Sequence, residues 1–291
     1  MIANEEIARA RRRFAEELRY VAHVASPEVV AAFARVPRER FVGEGPWKLV
    51  SPIRGLGYWQ TADADPTHLY HDVLVAIDPL RGLNNGQPSL WARLFDELRL
   101  EPGRHAMHVG AGTGYYTAIL AELVGPEGRV TAVEIDPDLA RRTRENLDGD
   151  WPQVEVVTGD GFAYLPPVLM DAIVVNAGVS HIAPTWLDAL APENGRLLVP
   201  LTSANRAGAF LMITRNDGTT QRYAARCVCY TGIIPCVGGR DAEAEKRLGA
   251  ALARSEFSAI RSLRRPPEEP DETCWLAGDG WWLSTASIED R

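Results

Sequence analysis

Cysteine is scarce in this chain of 291 residues, which contains only four. None of the four forms a Cys-x-x-Cys pair, and no second cluster completes the ligand set of a zinc site. Disulfide frameworks and metal sites are therefore not expected. The composition fits a reducing compartment.

Long apolar stretches and net positive charge are missing as well. No run approaches the roughly 20 residues that a membrane-spanning helix needs. The first residues, MIANEEIARARRRFAEEL, carry charges throughout instead of an apolar signal core. The formal net charge of -8 gives a surface that does not attract polyanions. These absences argue against a membrane or nucleic-acid partner and predict a cytoplasmic protein; the oligomeric state stays open.

What the chain does contain, after residue 103, is an alternation of apolar strands and helices. The strand segments are HAMHVG, RVTAVEI, VEVVTGD, DAIVVNAG and GRLLVPL, and the helices are 114–124, 137–147 and 184–191. Two long strands, GAFLMITRND and RYAARCVCYTGIIPCV, follow with no helix between them. The pattern predicts an α/β fold with a doubly wound, mostly parallel, seven-stranded Rossmann-like sheet and an antiparallel edge hairpin.

The two ends of the chain differ from this core. Residues 1–103 read as a helical, substrate-side region, with helices within 4–35 and at 87–98 and one strand at 72–77. The core of alternating strands and helices follows at 104–240, and 241–291 form a small annex. In the annex a charged helix and a linker, RRPPEEPDE, precede a tryptophan-rich hairpin, CWLAGDGWWLS. The hairpin is either a packed satellite or a wall of the substrate pocket.

A glycine loop marks the first binding feature. In MHVGAGTGYYTAIL the glycines are Gly110, Gly112 and Gly114, and Tyr115 stands where a dinucleotide fold needs a small residue. A ligand without a pyrophosphate, such as S-adenosylmethionine, suits this spacing better. The competing interpretation is a tight strand-to-helix turn.

Two carboxylates end the next two strands. Glu134 is placed to accept the ribose hydroxyls, and Asp160 to accept the adenine amino group, with Gly161 allowing close approach. Asp136 competes for the ribose, but Asp136-Pro137 reads as a helix N-cap and first-turn proline.

Residues 28–240 resemble the protein-L-isoaspartate O-methyltransferases, a family of class I S-adenosylmethionine-dependent methyltransferases. The likeness lies in FARVPRERFV, QPSLWARLFDELRLEPG, VGAGTGYYTAILAELVG, VEID, GDG, DAIVVNAGVSHIAPTWLDALAPENGRLLVPL and TGIIPCVGG. It implies a methyltransferase that acts on the carboxylate of L-isoaspartyl residues in proteins or modified peptides. It also implies S-adenosylmethionine as cofactor and the following cofactor-site residues: Gln87, His108, Gly110, Ala111, Gly112, Gly114, Glu134, Ile135, Asp160, Gly161 and Asn176.

The chain departs from the family at the loop that contacts the reacting region. The family has a serine there, in a loop resembling TISQP, whereas this chain has NNGQP with Gly86 at the serine position. We expect Asn84 and Asn85 to supply donors instead, and a serine restored at 86 to maintain or raise activity. His181, in NAGVSHIAP, either donates to the acceptor carboxylate or caps the next helix.

The second departure is His108, which replaces the family's acidic residue near the cofactor's amino group. A neutral histidine can accept that hydrogen bond, whereas a charged one would repel the ammonium. The competing interpretation is that His108 satisfies local backbone groups. These departures leave two alternatives open: a methyltransferase with a different small-molecule or peptide acceptor, and a cofactor-binding adaptor that has lost turnover.

Overall fold

A computed structural model of the chain describes residues 2–51, 57–216 and 221–289. The chain divides into two units. The first comprises Met1–Gly103, Ala111–Val130 and Asp136–Val156, and the second comprises Arg104–Gly110, Thr131–Ile135 and Val157–Arg291. The three-part division drawn from the sequence stays a prediction.

The first unit contains five helices among its described residues. They are α1 (Ile2–Val21), α2 (Pro27–Arg35), α3 (Pro88–Leu98), α4 (Tyr115–Val124) and α5 (Pro137–Leu147). Local sequence explains where they begin. Ser26 accepts a hydrogen bond from the backbone of Val29, as an N-cap does. Asp136 accepts from two first-turn amides of α5, so its predicted capping role is confirmed.

A small antiparallel sheet lies in the same unit. Its strands are β1 (Lys48–Val50), β2 (Trp59–Gln60), β3 (Leu74–Asp78) and β4 (Leu83–Asn84), in the order β2-β1-β3-β4. Only β3 was predicted, because β2 and β4 have two residues each and carry no recognisable periodicity. Since β4 ends at Asn84, this sheet fixes where the Asn84–Gln87 loop begins.

The larger sheet has ten strands in the order β13-β14-β12-β11-β10-β9-β8-β5-β6-β7. In chain order the strands are β5 (His105–Val109), β6 (Arg129–Glu134), β7 (Val154–Thr158), β8 (Ala172–Val175), β9 (Gly195–Thr202), β10 (Ala207–Arg215), β11 (Arg222–Gly232), β12 (Ser262–Arg264), β13 (Cys274–Gly278) and β14 (Trp281–Ser284).

Strand directions agree with the predicted fold. β5 and β8 run parallel, as do β8 and β9, whereas β9, β10 and β11 pair antiparallel. A parallel core flanked by antiparallel strands is therefore confirmed, although the antiparallel part extends from β9 to β13 and is not a two-stranded edge alone. The predicted end of the β10 segment, residue 217, lies outside the described residues.

The sheet is larger than the seven strands predicted, because β12, β14 and β13 continue it beyond β11. The segment read as a linker starts at Arg264, which is the last residue of β12. Arg264 is 3% exposed, its guanidinium lies 5.0 Å from the Trp282 ring, and Glu268 pairs with it. A buried, paired arginine in a three-residue strand gave no apolar signal in the sequence.

The tryptophan-rich hairpin is part of this sheet. β14 pairs with both β12 and β13, and Trp275, Trp281 and Trp282 are buried. The two remaining helices of the second unit are α6 (Pro184–Asp188), shorter than predicted, and α7 (Ala242–Arg254). No helix in the described part of the chain is long and apolar enough to cross a membrane.

Candidate active site

The glycine loop adopts backbone conformations that favour glycine at every expected position. Gly110, Gly112 and Gly114 have φ of 77°, 62° and 96°. Space is limiting at two of them. A methyl group on Gly110 would lie 3.2 Å from the Asn176 carbonyl oxygen, and one on Gly114 would lie 3.0 Å from Thr143 Cγ2. These glycines are therefore required by local structure, whichever ligand the loop holds.

Helix α5 holds the carbonyls of the part of the loop that belongs to the first unit. Thr143 Oγ1 donates to the Gly112 carbonyl at 2.8 Å, and Asn146 Nδ2 donates to the Thr113 carbonyl at 2.9 Å. The Gly114 amide closes the turn on the Ala111 carbonyl at 2.9 Å. The turn is thus rigid before any ligand binds, which lowers the entropic cost of binding.

Hydrogen bonds in the second unit join the carboxyl ends of neighbouring strands. The Gly110 amide donates to the Val133 carbonyl at 2.8 Å, and the Gly159 amide to the Glu134 carbonyl at 2.9 Å. Asn176 Nδ2 donates to the Gly110 carbonyl at 3.3 Å. Ligands of open α/β sheets bind at this edge.

The two carboxylates differ in their surroundings. Glu134 is buried, at 6% exposed, and Ile135 beside it is 42% exposed. Asp160 is exposed and accepts from the Phe162 amide at 2.9 Å. A side chain on Gly238 would collide with the Asp160 carboxylate, so the segment before α7 lies directly against this group.

Gly161 is required for a reason that the sequence did not reveal. A methyl group there would lie 2.5 Å from Val109 Cγ1. The missing side chain therefore lets the loop pack on β5. This packing supplies a structural cause for the glycine besides the close ligand approach that we expected.

His108 is uncharged at neutral pH. It lies on β5 with no exposed surface, and desolvation lowers its pKa to about 3. A neutral ring is the form that does not repel an ammonium group. Its contact with the cofactor stays a prediction.

Asn84 and Asn85, at the end of β4 and directly after it, have different hydrogen-bond partners. Asn84 Oδ1 accepts from the Gly86 amide at 3.0 Å and so shapes the turn. Asn85 Oδ1 accepts from Arg38 NH2 and from the Val75 amide, both at 3.1 Å. Asn85 Nδ2 is buried and has no hydrogen-bond partner in the described part of the chain. The second amide is therefore oriented and has a donor to offer.

Arg38 explains that orientation, although the sequence pattern did not single it out. Its guanidinium is fully buried and donates to the carbonyls of Leu69, His71 and Val73 as well as to Asn85. Four oxygens thus compensate a buried charge. Nothing in the sequence distinguishes this arginine from its solvated neighbours.

A serine does not fit at position 86. Gly86 has φ of 78°, and a methyl group there would lie 2.7 Å from Trp91 Nε1 and 3.1 Å from Tyr116 Cε2. Trp91 stacks on Tyr116 with ring centroids 4.9 Å apart, so neither ring can yield easily. The geometry opposes the expected benefit of restoring a hydroxyl by substitution at this position.

Gln87, which follows, is held within the first unit. Its Nε2 donates to Asp72 Oδ2 at 3.0 Å and contacts Ser89 Oγ at 2.9 Å. These bonds fix the start of α3. A cofactor contact from Gln87 stays a prediction.

His181 lies after β8, beside residues that follow the Asp160 loop. Its ring centroid is 4.8 Å from that of Phe162, and its Nδ1 is 3.0 Å from Ser180 Oγ. Burial lowers its pKa, so the ring is neutral at neutral pH. Helix α6 has Ala183 as N-cap and no side-chain cap, so the capping interpretation of His181 is wrong.

All four cysteines, each within the described residues, are free. In residues 2–51, 57–216 and 221–289, no group of three or more His, Cys, Asp or Glu side chains is placed to hold a metal ion.

Comparison with known proteins bears on the origin of this arrangement. A family model described as protein-L-isoaspartate(D-aspartate) O-methyltransferase matches residues 9–239. The protein-L-isoaspartate O-methyltransferase of Methanopyrus kandleri is 33% identical over 217 residues, which are 74% of this chain and 86% of that protein. The Hyperthermus butylicus protein of the same name is 29% identical over 249 residues, 82% and 94% of the two chains.

Solved structures agree on the fold. A Plasmodium falciparum protein assigned to the protein-L-isoaspartate O-methyltransferases, in complex with S-adenosyl-L-homocysteine, superimposes with a TM-score of 0.60 at 21% identity, covering 78% of this chain and 97% of its own. A second protein-L-isoaspartate O-methyltransferase gives 0.63 at 20% identity, covering 92% of this chain and 86% of its own. The resemblance predicted from the sequence is confirmed.

Proposed function

Because the chain belongs to the protein-L-isoaspartate(D-aspartate) O-methyltransferase family, we propose that it methylates the free α-carboxylate of L-isoaspartyl residues in a protein or peptide. It is a methyltransferase that uses S-adenosylmethionine. The assignment of the acceptor rests on the family match over residues 9–239. A cytoplasmic location is part of the proposal.

The residues at the strand ends fit this cofactor. Buried Glu134 can accept from the two ribose hydroxyls, and Asp160 can accept from the adenine amino group. The neutral ring of His108 does not repel the ammonium group of the cofactor. The cofactor supplies a methyl group on a positively charged sulfur; the chain has to hold and orient it.

The acceptor needs no strong base. A carboxylic acid has a reference pKa near 4, so the nucleophile is already an anion at neutral pH. The chain must align one carboxylate oxygen with the methyl group and exclude water from it. Hydrogen-bond donors that fix the carboxylate are the groups that this task requires.

Two side chains, each considered within its own unit, are candidate donors to a carboxylate: Asn85 in the first unit and His181 in the second. Asn85 offers a buried Nδ2 that no described group occupies, and Arg38 prevents the amide from turning around. His181 is neutral and offers Nε2, because Nδ1 faces Ser180. As the carboxylate becomes an ester its charge disappears, so these donors position the oxygen more than they stabilise the transition state.

One observation favours a second candidate. The Trp91 indole fills the space beside Gly86, where a hydroxyl-bearing side chain would stand. The contact surface near the reacting group therefore differs from the family pattern. This favours a different small-molecule or peptide acceptor with the same cofactor.

The test compares two peptides that differ in one linkage. The protein is incubated with methyl-labelled S-adenosylmethionine and an isoaspartyl peptide, in parallel with its aspartyl isomer. We expect label that is released by mild base, as a methyl ester is, from the isoaspartyl peptide. Label on the aspartyl isomer alone favours the second candidate, and no label with intact S-adenosylhomocysteine binding contradicts both.

A further inference from the structure

The Ser180 hydroxyl lies at the centre of a buried hydrogen-bond cluster. Ser180 has no exposed surface. Its Oγ is 3.0 Å from His181 Nδ1, 3.0 Å from the Asp241 amide nitrogen and 3.4 Å from the Gly239 carbonyl oxygen. One hydroxyl hydrogen must therefore serve one of two acceptors, and the choice decides the tautomer of His181.

The distances favour the imidazole as the acceptor. The Asp241 amide can only donate, so it occupies one lone pair of Ser180 Oγ. The Gly239 carbonyl already accepts from the Ser180 amide at 2.9 Å, and its distance from Oγ is the longer of the two. The hydroxyl hydrogen then points to Nδ1. A neutral imidazole that accepts at Nδ1 carries its hydrogen on Nε2.

Nε2 is the ring atom that remains available. In the part of the chain that the structure describes, the His181 ring makes its only hydrogen bond through Nδ1, and the Phe162 ring packs against one side of it. The charged groups around the ring are Asp241, Arg240 and Arg247 from the α7 segment and Asp279 from the β13–β14 turn. They carry both signs, so the tautomer depends on the local bond rather than on net charge.

The partner that holds Ser180 comes from outside the family match. The match ends at residue 239, and Asp241 is the N-cap of α7. Arg240 ties the same segment down by donating to the Thr202 carbonyl at 2.8 Å. Further along, Trp281 Nε1 donates to the Ile182 carbonyl at 2.9 Å. The C-terminal extension thus makes hydrogen bonds to Ser180 and Ile182, the residues before and after His181.

We propose that Ser180 is a positioning residue, and that the C-terminal extension, through the Asp241 amide and Trp281, holds the Ser180–Ile182 segment so that neutral His181 presents Nε2–H to the acceptor carboxylate. This rests on the proposed function. It assigns the extension to acceptor recognition: the core binds the cofactor, and the extension sets the donor that meets the substrate.

The first test reads the tautomer without turnover. The full chain is labelled with ¹⁵N-histidine, and the His181 signals are assigned by comparison with His181→Gln. We expect a protonated Nε2 and an unprotonated Nδ1 in the parent. In Ser180→Ala we expect a mixture of both tautomers. A parent ring protonated at Nδ1 overturns the proposal.

The second test separates the two ring nitrogens chemically. The glutamine amide reaches the position of Nε2, whereas the asparagine amide reaches only that of Nδ1. With the acceptor identified by the labelling assay, we expect His181→Gln to keep KM for the acceptor within about threefold and His181→Asn to raise it about tenfold, as loss of one donor to a charged group does.

Ser180→Ala completes the set, with exposed Ser258→Ala as the matched control. We expect Ser180→Ala to raise KM for the acceptor about fivefold while S-adenosylhomocysteine affinity stays at the parent value. An unchanged KM together with an unchanged tautomer contradicts the inference. Absence of methylation in the parent itself contradicts the proposed function instead, and the tautomer measurement still decides the role of Ser180.

Discussion

Gly86 and Trp91 are packed so closely that a methyl group on the glycine would lie 2.7 Å from the indole nitrogen. The loop that carries Asn85 is therefore shaped around a missing side chain. The consequence reverses what the sequence suggested for this position.

We expect Gly86→Ser to lower both stability and activity. The substitution adds left-handed backbone strain of about 1–2 kcal/mol and an overpacking cost of about 1–3 kcal/mol. The matched control is Gly82→Ser, because Gly82 also has positive φ, 69°, but no atom within 4 Å of an added methyl group. Urea denaturation measures both, and equal losses in the two variants would show that the Trp91 contact is unimportant.

Asn85 is tested by changing its donor alone. Asn85→Asp keeps the oxygen that accepts from Arg38 and Val75 but replaces Nδ2 by a second oxygen. A carboxylate there repels the acceptor's carboxylate, so we expect methyl transfer to fall by well over the roughly tenfold loss expected for Asn85→Ala. S-adenosylhomocysteine binding is the control. An Asp variant as active as the parent contradicts the assignment.

Glu134 is tested by cofactor binding. We expect Glu134→Ala to weaken S-adenosylhomocysteine binding by about 2 kcal/mol, the loss of a charge-assisted pair of hydrogen bonds. Exposed Glu127→Ala, which changes net charge equally, controls for long-range electrostatics. Calorimetry measures both affinities, and an unchanged value for Glu134→Ala would falsify the ribose assignment.

His108 makes stability depend on pH in a defined direction. Its pKa is about 3 in the folded chain and about 6.5 when unfolded, so below pH 6.5 the unfolded state takes up a proton that the folded state refuses. Stability is therefore lost as pH falls, by about 1.4 kcal/mol per pH unit from this residue.

The measurement is the free energy of unfolding in urea at several pH values between 7 and 4.5. We expect the free energy of unfolding of His108→Gln to fall less steeply with decreasing pH, by about 1.4 kcal/mol per pH unit, whatever the stability of this variant at pH 7. His71→Gln, at an exposed side chain, is the matched histidine control. Identical slopes for parent and His108→Gln would mean that His108 is protonated in the folded chain.

Two tryptophans of the extension form a matched pair. Trp281 Nε1 donates to the Ile182 carbonyl at 2.9 Å, and Trp282 Nε1 donates to the Glu268 carbonyl at 3.2 Å. Replacing either with phenylalanine removes one hydrogen bond worth about 1 kcal/mol. Only Trp281→Phe releases the residue beside His181, so we expect only this variant to raise KM for the acceptor. Equal KM values in both variants contradict the proposal that the extension positions His181.

Elements with local signals were predictable from the sequence. Ser26-Pro27 and Asp136-Pro137 combine a side chain that caps with a ring that sets φ, so α2 and α5 begin where expected. The apolar runs of β5 and β8 identified the parallel core. At each of these elements, a short stretch of sequence contains the residues that determine the local structure.

Features that join distant segments were not predictable. Ser180 is 61 residues before Asp241, and Ile182 is 99 residues before Trp281, so these contacts arise only in the folded chain. The role of Arg38 depends on carbonyls more than thirty residues away, which have no residue-type signature. The collision at Gly86 needs the position of Trp91, which spacing along α3 alone does not give.

The strand order has a consequence for synthesis. β12 pairs with Arg222–Ala224 at the start of β11, and β14 pairs with β12, so segments that follow β11 in the chain extend the sheet. While the ribosome is still producing the extension, β11 presents unpaired amides and carbonyls, a template for association with other nascent chains. We therefore expect the emerging chain to have a raised risk of aggregation until Ser262–Arg264 has left the ribosome and paired with β11.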